Sequence, residues 1–246
     1  MNPTRPHLFG LLAGLFLAAG IAFASLVFAN TWSHISESQV VAVTGSAHRN
    51  VRSDLVLWRA NFFVEAPTLL EAQQKLHADY GKVLTFLQLH NCTDFTVSSP
   101  QIQELTAKQR NDEDNTVVNV LVGYRLTQTV EVRSGEVDRV PRLVGNTGEL
   151  LEQGVAFMSE GIEYIYTKVA DAKVEMMAEA TRDARVRAEQ IASQGSRRVK
   201  ELRSAHVGVV QINPIYSAAT SWQGNNDTTS LEKTITATVN AVFLLD

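Results

Sequence analysis

Residues 55–71 read LVLWRANFFVEAPTLLE, and this stretch joins a strand pattern to the start of a helix. Apolar residues recur at every second position, which predicts a strand from Leu55 to Val64 with one buried face. The face expected to be buried holds Val56, Trp58, Ala60 and Phe62, and the opposite face holds Leu55, Leu57, Arg59 and Asn61.

The end of the same stretch predicts a helix. Thr68 and Glu71 have the spacing of a capping box, in which the Thr68 hydroxyl accepts a hydrogen bond from the Glu71 amide and Glu71 reaches back. We expect the helix to end at His90-Asn91, because asparagine suits the left-handed conformation after a helix. Its apolar stripe would consist of Ala72, Leu76, Tyr80, Val83, Leu84 and Leu87.

Further runs of apolar and β-branched residues predict strands at 40–43, 95–105, 116–132, 155–166, 206–212 and 234–245. Pro100 interrupts the run at 95–105 and favours an edge strand, since proline donates no ladder hydrogen bond. The polar residues 108–115 predict the loop of a hairpin, and 217–230 a second polar loop. A short helix is expected over 137–151, interrupted by Pro141 and Gly145.

The longest predicted helix of this region covers residues 168–194 and stops at Gly195. Its apolar residues share an arc of about 120°, and most of them are alanine. Small side chains allow close approach to a sheet or to another helix. We therefore expect this helix to contact further copies of the chain, with the candidate contact residues Ala172, Met176, Ala180, Ala184, Ala188, Arg182 and Arg185.

The two arginines belong to a basic run, because residues 182–203 hold seven Lys and Arg against three Asp and Glu. Salt bridges between subunits, contact with anionic lipid headgroups and a plain solvated helix face all fit this run. Nucleic-acid binding does not fit, since residues 30–246 carry 21 basic and 26 acidic residues, a net charge of −5. Together these patterns predict an α+β fold: a mixed, largely antiparallel sheet with two main helices packed on it, preceded by an N-terminal transmembrane helix.

Residues 8–29 form that transmembrane segment, with 18 apolar residues among 22 and no charge. At about 1.5 Å per residue a helix of this length crosses a bilayer core of about 30 Å. Arg5 precedes the segment and no acidic residue occurs before Glu37, so we expect residues 30–246 on the outer side. The predicted membrane-spanning residues include Leu8, Leu12, Leu15, Ile21 and Phe28.

A cleaved signal peptide is the alternative interpretation of the segment. Ala22-Phe23-Ala24 has the small-x-small form that a signal peptidase requires, although apolar residues continue to Ala29. The predicted organisation is therefore an anchor or signal at 1–29, a linker at 30–39 and one α+β domain at 40–246.

Motifs for familiar catalytic chemistry are missing from the sequence. Gly81-Lys82 lacks the preceding glycine of a phosphate-binding loop, and no G-x-S-x-G or H-E-x-x-H occurs. The six histidines are scattered, and Cys92 is the only cysteine, so it is either buried or bridges two chains. We expect no catalytic site, no metal site and no cofactor.

The order of several short motifs resembles the SIMPL domain family, which includes bacterial periplasmic immunogenic proteins. The resemblance covers residues 40–245, although Ala47 stands where many members have glycine. It implies an exported α+β domain and, in some members, large ring-like homo-oligomers, and it supplies no catalytic residues. The motifs are Val43-Thr44-Gly45-Ser46-Ala47, Ala72 and Leu87 in the first helix, Ser98-Ser99-Pro100, Val122-Gly123-Tyr124-Arg125-Leu126, the helix with Ala180, Ala184 and Ala188, and Thr236-Ala237-Thr238-Val239.

The resulting hypothesis is a non-enzymatic protein, anchored by a single pass in the cytoplasmic (inner) membrane with its C-terminal domain in the periplasm. It would assemble with copies of itself into a large ring-like oligomer, with the alanine-faced helix and the sheet edges as contact surfaces and with a scaffolding or envelope-stress role. Its expected partners are itself and the membrane, without nucleic acid or a small-molecule substrate. The alternative is an envelope binding module for a lipid or a cell-wall ligand, and a hydrolase with a site assembled from distant residues ranks third.

Overall fold

The computed structural model describes residues 6–36, 39–110 and 117–246, and within the first helix it describes the side chains of residues 10–29. The helices are α1 Pro6–Ser36, α2 Leu69–Leu89, α3 Val140–Gly145, α4 Gly148–Glu152 and α5 Val169–Gln194. The strands are β1 Val40–Arg52, β2 Leu55–Ala66, β3 Phe95–Val97, β4 Gln101–Arg110, β5 Val117–Ser134, β6 Ala156–Ile165, β7 Val199–Val207, β8 Gln211–Pro214 and β9 Glu232–Leu245.

Helix α1 contains the predicted apolar segment. Its residues Gly10–Ala29 have a mean hydropathy of 2.4 and none of them is buried, so the helix is long and apolar enough to cross a membrane, as an anchor or as a signal sequence. Of the residues predicted to span the membrane, Leu12, Leu15, Ile21 and Phe28 are exposed in this helix, and the side chain of Leu8 lies outside the described residues. The helix continues past Ala29 to Ser36 and so extends into the segment predicted as a linker.

The chain forms two compact units. Unit 1 consists of residues 1–47, 177–208 and 237–246, and unit 2 consists of residues 48–176 and 209–236. The region predicted as one domain at 40–246 therefore contributes to both units.

Unit 2 contains a five-stranded sheet in the order β3-β5-β2-β6, with β4 pairing β5 as well. All the strand pairs of this sheet are antiparallel, as predicted. Strand β2 agrees with the sequence pattern: Val56, Trp58, Ala60 and Phe62 are completely buried. A bulge in the pairing of β2 with β6 falls at Gly161, whose φ of 125° is a conformation that L side chains rarely adopt.

Helix α2 covers this sheet, and its boundaries follow the predicted signals. The Thr68 hydroxyl accepts a hydrogen bond from the Glu71 amide at 3.3 Å, and Asn91 has a φ of 53° after the last turn. From the predicted stripe, Ala72, Leu76, Val83 and Leu87 are buried in the core of unit 2 together with Leu126 and Val130 of β5. Local capping and one apolar stripe thus determine this helix.

In unit 1 the sheet order is β1-β9-β7, and β8 pairs the first part of β9 within unit 2. Hydrogen bonds join segments of unit 1 that are distant in sequence: the Thr44 hydroxyl donates to Asn240 Oδ1 at 2.6 Å, and the Leu245 amide donates to the Gln39 carbonyl at 2.9 Å. The chain thus has an α+β fold with antiparallel sheets, and its strands lie in two sheets rather than in one.

Several predicted boundaries were wrong: the strand predicted at 40–43 extends to Arg52, and the strand predicted at 95–105 is two strands, β3 and β4. The single strand expected at 206–212 is divided between β7, Val199–Val207, and β8, Gln211–Pro214. Between them the Gly208 amide donates to the Thr238 carbonyl at 2.8 Å. Strand β4 includes Lys108–Arg110, which was predicted as loop, and residues 111–115 of that loop lie outside the described residues. Pro141 does not interrupt α3, since it lies in the first turn, where the missing N–H costs nothing.

Candidate assembly surfaces

The alanine face of α5 packs inside the chain. Ala180 and Ala184 are completely buried, and a Cβ atom added at Gly45 of β1 would overlap the Ala180 carbonyl and the Ala184 backbone. The small side chains therefore let the helix approach strand β1 closely within unit 1. All five predicted contact residues with small or apolar side chains are buried: Ala180, Ala184 and Ala188 belong to unit 1, and Ala172 and Met176 to unit 2.

A second copy of the chain cannot reach these five residues while they stay buried. The candidate contacts that the structure leaves exposed on α5 are Arg182 and Arg185. Arg185 donates to Glu189 at 2.9 Å one turn along the helix. Such exposed pairs contribute little to stability, and both arginines are positioned where another molecule can contact them.

The basic run does not lie on a single helix. Arg182, Arg185 and Arg187 belong to α5, whereas Lys200 and Arg203 belong to strand β7. Arg197 lies between these elements and donates to the Asp246 carbonyl at 2.9 Å. A solvated helix face, one of the three interpretations of the run, thus applies only to the arginines of α5.

Asp183, which also belongs to the basic run, connects α5 to β1. Its carboxylate accepts a hydrogen bond from the Ser46 amide at 2.8 Å and forms an ion pair with Arg187 at 2.8 Å. The bond from the Ser46 amide is the main reason why the pKa of Asp183 is lowered, and Arg187 adds to that shift. This contact lies beside Gly45, so the glycine and the carboxylate hold the same part of the helix.

One exposed part of unit 2 is the end of the sheet where β5 pairs with β4 alone. Strand β2 pairs β5 only as far as Tyr124, opposite Ala66, while β5 continues to Val117 with β4 as its partner. We call the resulting two-stranded segment the arm, and define it as residues 105–110 and 117–123. At about 3.3 Å per residue, residues 105–110 extend about 20 Å.

The arm presents apolar side chains on both of its faces. Its large apolar residues on β5 are between 39% and 57% exposed: Val117, Val118, Val120, Leu121 and Val122. Apolar side chains that are exposed side by side along a strand are typical of a protein interaction site, whereas single exposed apolar residues are ordinary. Because an isolated two-stranded hairpin is marginally stable in water, this segment has the character of an interaction surface.

The base of the arm is fixed by local contacts. A Cβ atom at Gly123 would lie 2.7 Å from the Ala66 carbonyl, so only glycine fits where β2 turns into α2. Arg125 forms an ion pair with Glu65 and lies over the Phe63 ring, 5.0 Å from its centroid. These contacts hold the base of the arm against β2, while the rest of the arm extends beyond the end of β2.

The sequence analysis did not identify the arm as a surface. One signal was present: the predicted strand at 116–132 is longer than the usual three to ten residues. A strand of that length extends beyond the ends of shorter strands in the same sheet. The exposure of its first part was therefore predictable in principle.

A groove in unit 2 is a candidate ligand site. It has a volume of about 480 Å³ and is lined by residues of β2, α2 and the segment before β6. Two of its charged groups are paired, since Lys82 donates to Asp79 at 2.9 Å and also to the Gln153 carbonyl at 3.0 Å. An open groove with paired charges lacks the enclosed apolar character of a lipid site.

A buried lysine in unit 2 is a further feature that the sequence analysis missed. Lys233 of β9 is 2% exposed and donates to the Tyr164 carbonyl at 2.6 Å and to the Asp227 carbonyl. Burial lowers its pKa, partly offset by the charge of Asp227. Its position two residues before the buried Ile235 places it on the inner face of β9, which strand alternation could have shown.

Cys92 is half-buried beside the core of unit 2. Burial raises the pKa of its thiol, so the group stays protonated at neutral pH and is a poor nucleophile. Among the described residues, no group of three His, Cys, Asp or Glu side chains has the geometry of a metal site.

Comparison with known families gives one result. The model of the SIMPL family, described as a protein of unknown function, matches residues 41–243. That range covers most of the chain and nearly coincides with the span inferred from the motifs. A comparison with curated proteins gives no match.

Proposed function

We propose, from the premise that this chain belongs to the SIMPL family, that it is a non-enzymatic, membrane-tethered protein that associates with copies of itself through the arm. The observation that carries the proposal is the exposed apolar surface of residues 117–122 on a two-stranded segment. Water is an unfavourable environment for such a surface, and a second protein surface would bury it. The family match is compatible with this role and assigns no catalytic residue.

The tether would be α1, held in the cytoplasmic (inner) membrane as a single pass. Arg5 precedes the apolar segment and the nearest acidic residue is Glu37, so the positive-inside rule favours both units on the periplasmic side. Confining many copies to one membrane raises their effective concentration and favours weak contacts between them. A scaffolding or envelope-stress role is the physiological part of the proposal.

A ring-like assembly requires two separate contact regions on each subunit, so that each copy contacts two neighbours. The arm supplies an apolar surface in unit 2. The exposed side of α5, with Arg182 and Arg185, supplies a charged surface. We propose these as the two contact regions of a ring-like assembly.

The test is the assembly state of the full chain in mild detergent, measured by size-exclusion chromatography with light scattering over a range of concentrations. We expect species larger than the monomer. Changing Val118 and Val120 to serine removes about 1 kcal/mol of apolar burial per residue from an interface. The dissociation constant should therefore rise at least about tenfold.

The matched control is Leu70→Ser, which alters an exposed apolar residue of α2 outside the arm. The control should assemble like the unchanged chain, and all variants should keep their melting temperature, since each side chain is exposed. A strictly monomeric full chain at every concentration would show that the proposal is wrong. Equal effects of the arm variant and the control would assign assembly to another surface.

A further inference from the structure

Strand β4 is an edge strand of the sheet in unit 2. Among the pairings of the described residues it pairs with β5 alone, so its other edge offers unpaired N–H and C=O groups. It is ten residues long and exposed throughout, apart from the half-buried Leu105. Long exposed edges of this kind pair readily with another strand, and proteins usually shorten or cover them.

The side chains of β4 are complementary to a second copy of the same strand. If two β4 strands run antiparallel with Thr106 on the axis, Glu104 of each strand lies opposite Lys108 of the other. The same register places Gln103 opposite Gln109 and Leu105 opposite Ala107. Opposite charges, amides and apolar groups thus each meet a matching group twice, because the axis is two-fold.

We propose that β4 pairs with β4 of a second copy in this register, about a two-fold axis through Thr106. The inference rests on the proposed self-association and names its partner and its geometry. Nine residues of each strand, from Ile102 to Arg110, lie opposite one another, and the two five-stranded sheets become one continuous sheet. The N–H and C=O groups on the open edge of β4 then form backbone hydrogen bonds with the second copy. A contact through side chains alone would leave these groups in water.

Alternative registers are less complementary. Moving the axis to Ala107 places Leu105 opposite Gln109 and Thr106 opposite Lys108, and moving it to Leu105 places Ile102 opposite Lys108. The Ala107 axis keeps one charge pair, Glu104 opposite Arg110, but loses the Gln103–Gln109 and Leu105–Ala107 pairs. The Thr106 axis leaves one unlike pair, Ile102 opposite Arg110, at each end of the contact. Moving the axis by one residue changes the pairing by two residues and leaves each side chain on the same face of the sheet. The side-chain pairs therefore distinguish these registers.

The first experiment is disulfide formation in the full chain carrying Cys92→Ala, which removes the only native thiol. Thr106→Cys should form a disulfide-linked dimer in membranes under mild oxidation, since directly opposite residues have Cα atoms about 4.5–5.5 Å apart. Gln109→Cys is the control, because in this register its two copies lie about 20 Å apart. Mixing Gln103→Cys and Gln109→Cys chains should restore a disulfide between the unlike copies.

The second experiment exchanges charges. Glu104→Lys places two lysines opposite each other at both ends of the contact, and Lys108→Glu places two glutamates there. Each single variant should lower the disulfide yield of Thr106→Cys severalfold, and the double variant should recover it. Because both side chains are exposed, each variant is expected to fold.

The outcomes separate this inference from the proposed function. If the chain is larger than a monomer but Thr106→Cys gives no more dimer than Gln109→Cys, the β4 register is wrong and self-association stands. Maximal yield at position 105 or 107 would likewise overturn the Thr106 axis. A monomeric full chain would overturn both proposals.

Discussion

Two glycines explain why two of the family motifs have their particular residues. At Gly45 the backbone of α5 lies where a Cβ would be, and at Gly123 the Ala66 carbonyl does. Neither glycine has a positive φ, so backbone freedom is not the reason for them. Both glycines are required because another segment of the chain approaches the backbone closely. A tertiary contact thus explains a residue that belongs to a local sequence motif.

Gly45→Ala should destabilise the protein by at least about 3 kcal/mol, because the overlap is with backbone atoms that cannot move aside cheaply. Gly81→Ala is the matched control: it lies in α2 with open space around it and should stabilise the helix by about 0.5–1 kcal/mol. Urea unfolding of the full chain in detergent measures both changes. A neutral Gly45→Ala variant would show that β1 and α5 are not in such close contact.

Asp54 connects the start of β2 to the segment before α5. Its carboxylate accepts hydrogen bonds from the Thr167 amide and hydroxyl, each at 2.7 Å. Burial alone would raise the pKa of Asp54, but these hydrogen bonds and the charge of Lys168 lower it below 3.8. The folded state therefore favours the charged carboxylate.

Since the folded pKa lies below the unfolded one, the stabilisation by Asp54 is complete above the unfolded pKa and is lost as the pH falls through the folded pKa. Asp54→Asn should lower the free energy of unfolding at pH 7 by about 1 kcal/mol and flatten its acid dependence below about pH 4. Unfolding curves from pH 7 to pH 2 measure this effect. The exposed Asp94→Asn is the control, and an equal flattening in it would exclude the Thr167 contacts as the cause.

At the scale of elements, local patterns were reliable where one face is buried. Strand β2 has strict alternation, and α2 has a capping box and one apolar stripe, and both were confirmed. Strand β7 was misplaced because nearly all its residues are exposed, so it has no alternation to detect. The difference is burial: apolar residues recur with the period of a strand or a helix only where one face of the element is buried in a core.

The role of α1 as an anchor has a direct test. Changing Leu15 and Ile21 to lysine places two charges near the middle of the apolar segment, at a cost of about 2.5–3.5 kcal/mol each. We expect the full chain to leave the membrane fraction, whereas Leu15→Val with Ile21→Val remains there. Membrane fractionation with intact mass measurement also detects cleavage after Ala24, which would identify a signal peptide instead of an anchor.

At the scale of the whole molecule, polar contacts join parts of the chain that are distant in sequence. Lys233 donates to carbonyls of Tyr164 and Asp227, so one ammonium group holds β6, β9 and the preceding loop within unit 2. Arg59 connects three strands on the solvent face of the same sheet, through Glu131 at 2.8 Å and Glu163 at 2.9 Å. The sheet that carries the arm is thus held by contacts that no local pattern predicts.

The sequence by itself determined the apolar segment, the helix and strand types, the cap of α2 and the family. These depend on composition, on periods of two and 3.6 residues and on a few residues at fixed spacing, all of which are local. Only the tertiary structure showed that the alanine face of α5 is used inside the chain, where the sequence analysis expected a contact with another copy. Small side chains indicate a close neighbour, but they do not indicate whether it belongs to the same chain.

The arm was likewise decided by tertiary structure. Strand β2 ends where Pro67 and the cap turn the chain into α2, while β5 continues with β4 alone. The end of β2 and the length of β5 can each be read from the sequence. Only the pairing register of the two strands shows which residues of β5 are left without β2 as a neighbour. The same apolar residues would be core under a longer β2, so their exposure follows from the relative lengths of strands that are far apart in the chain.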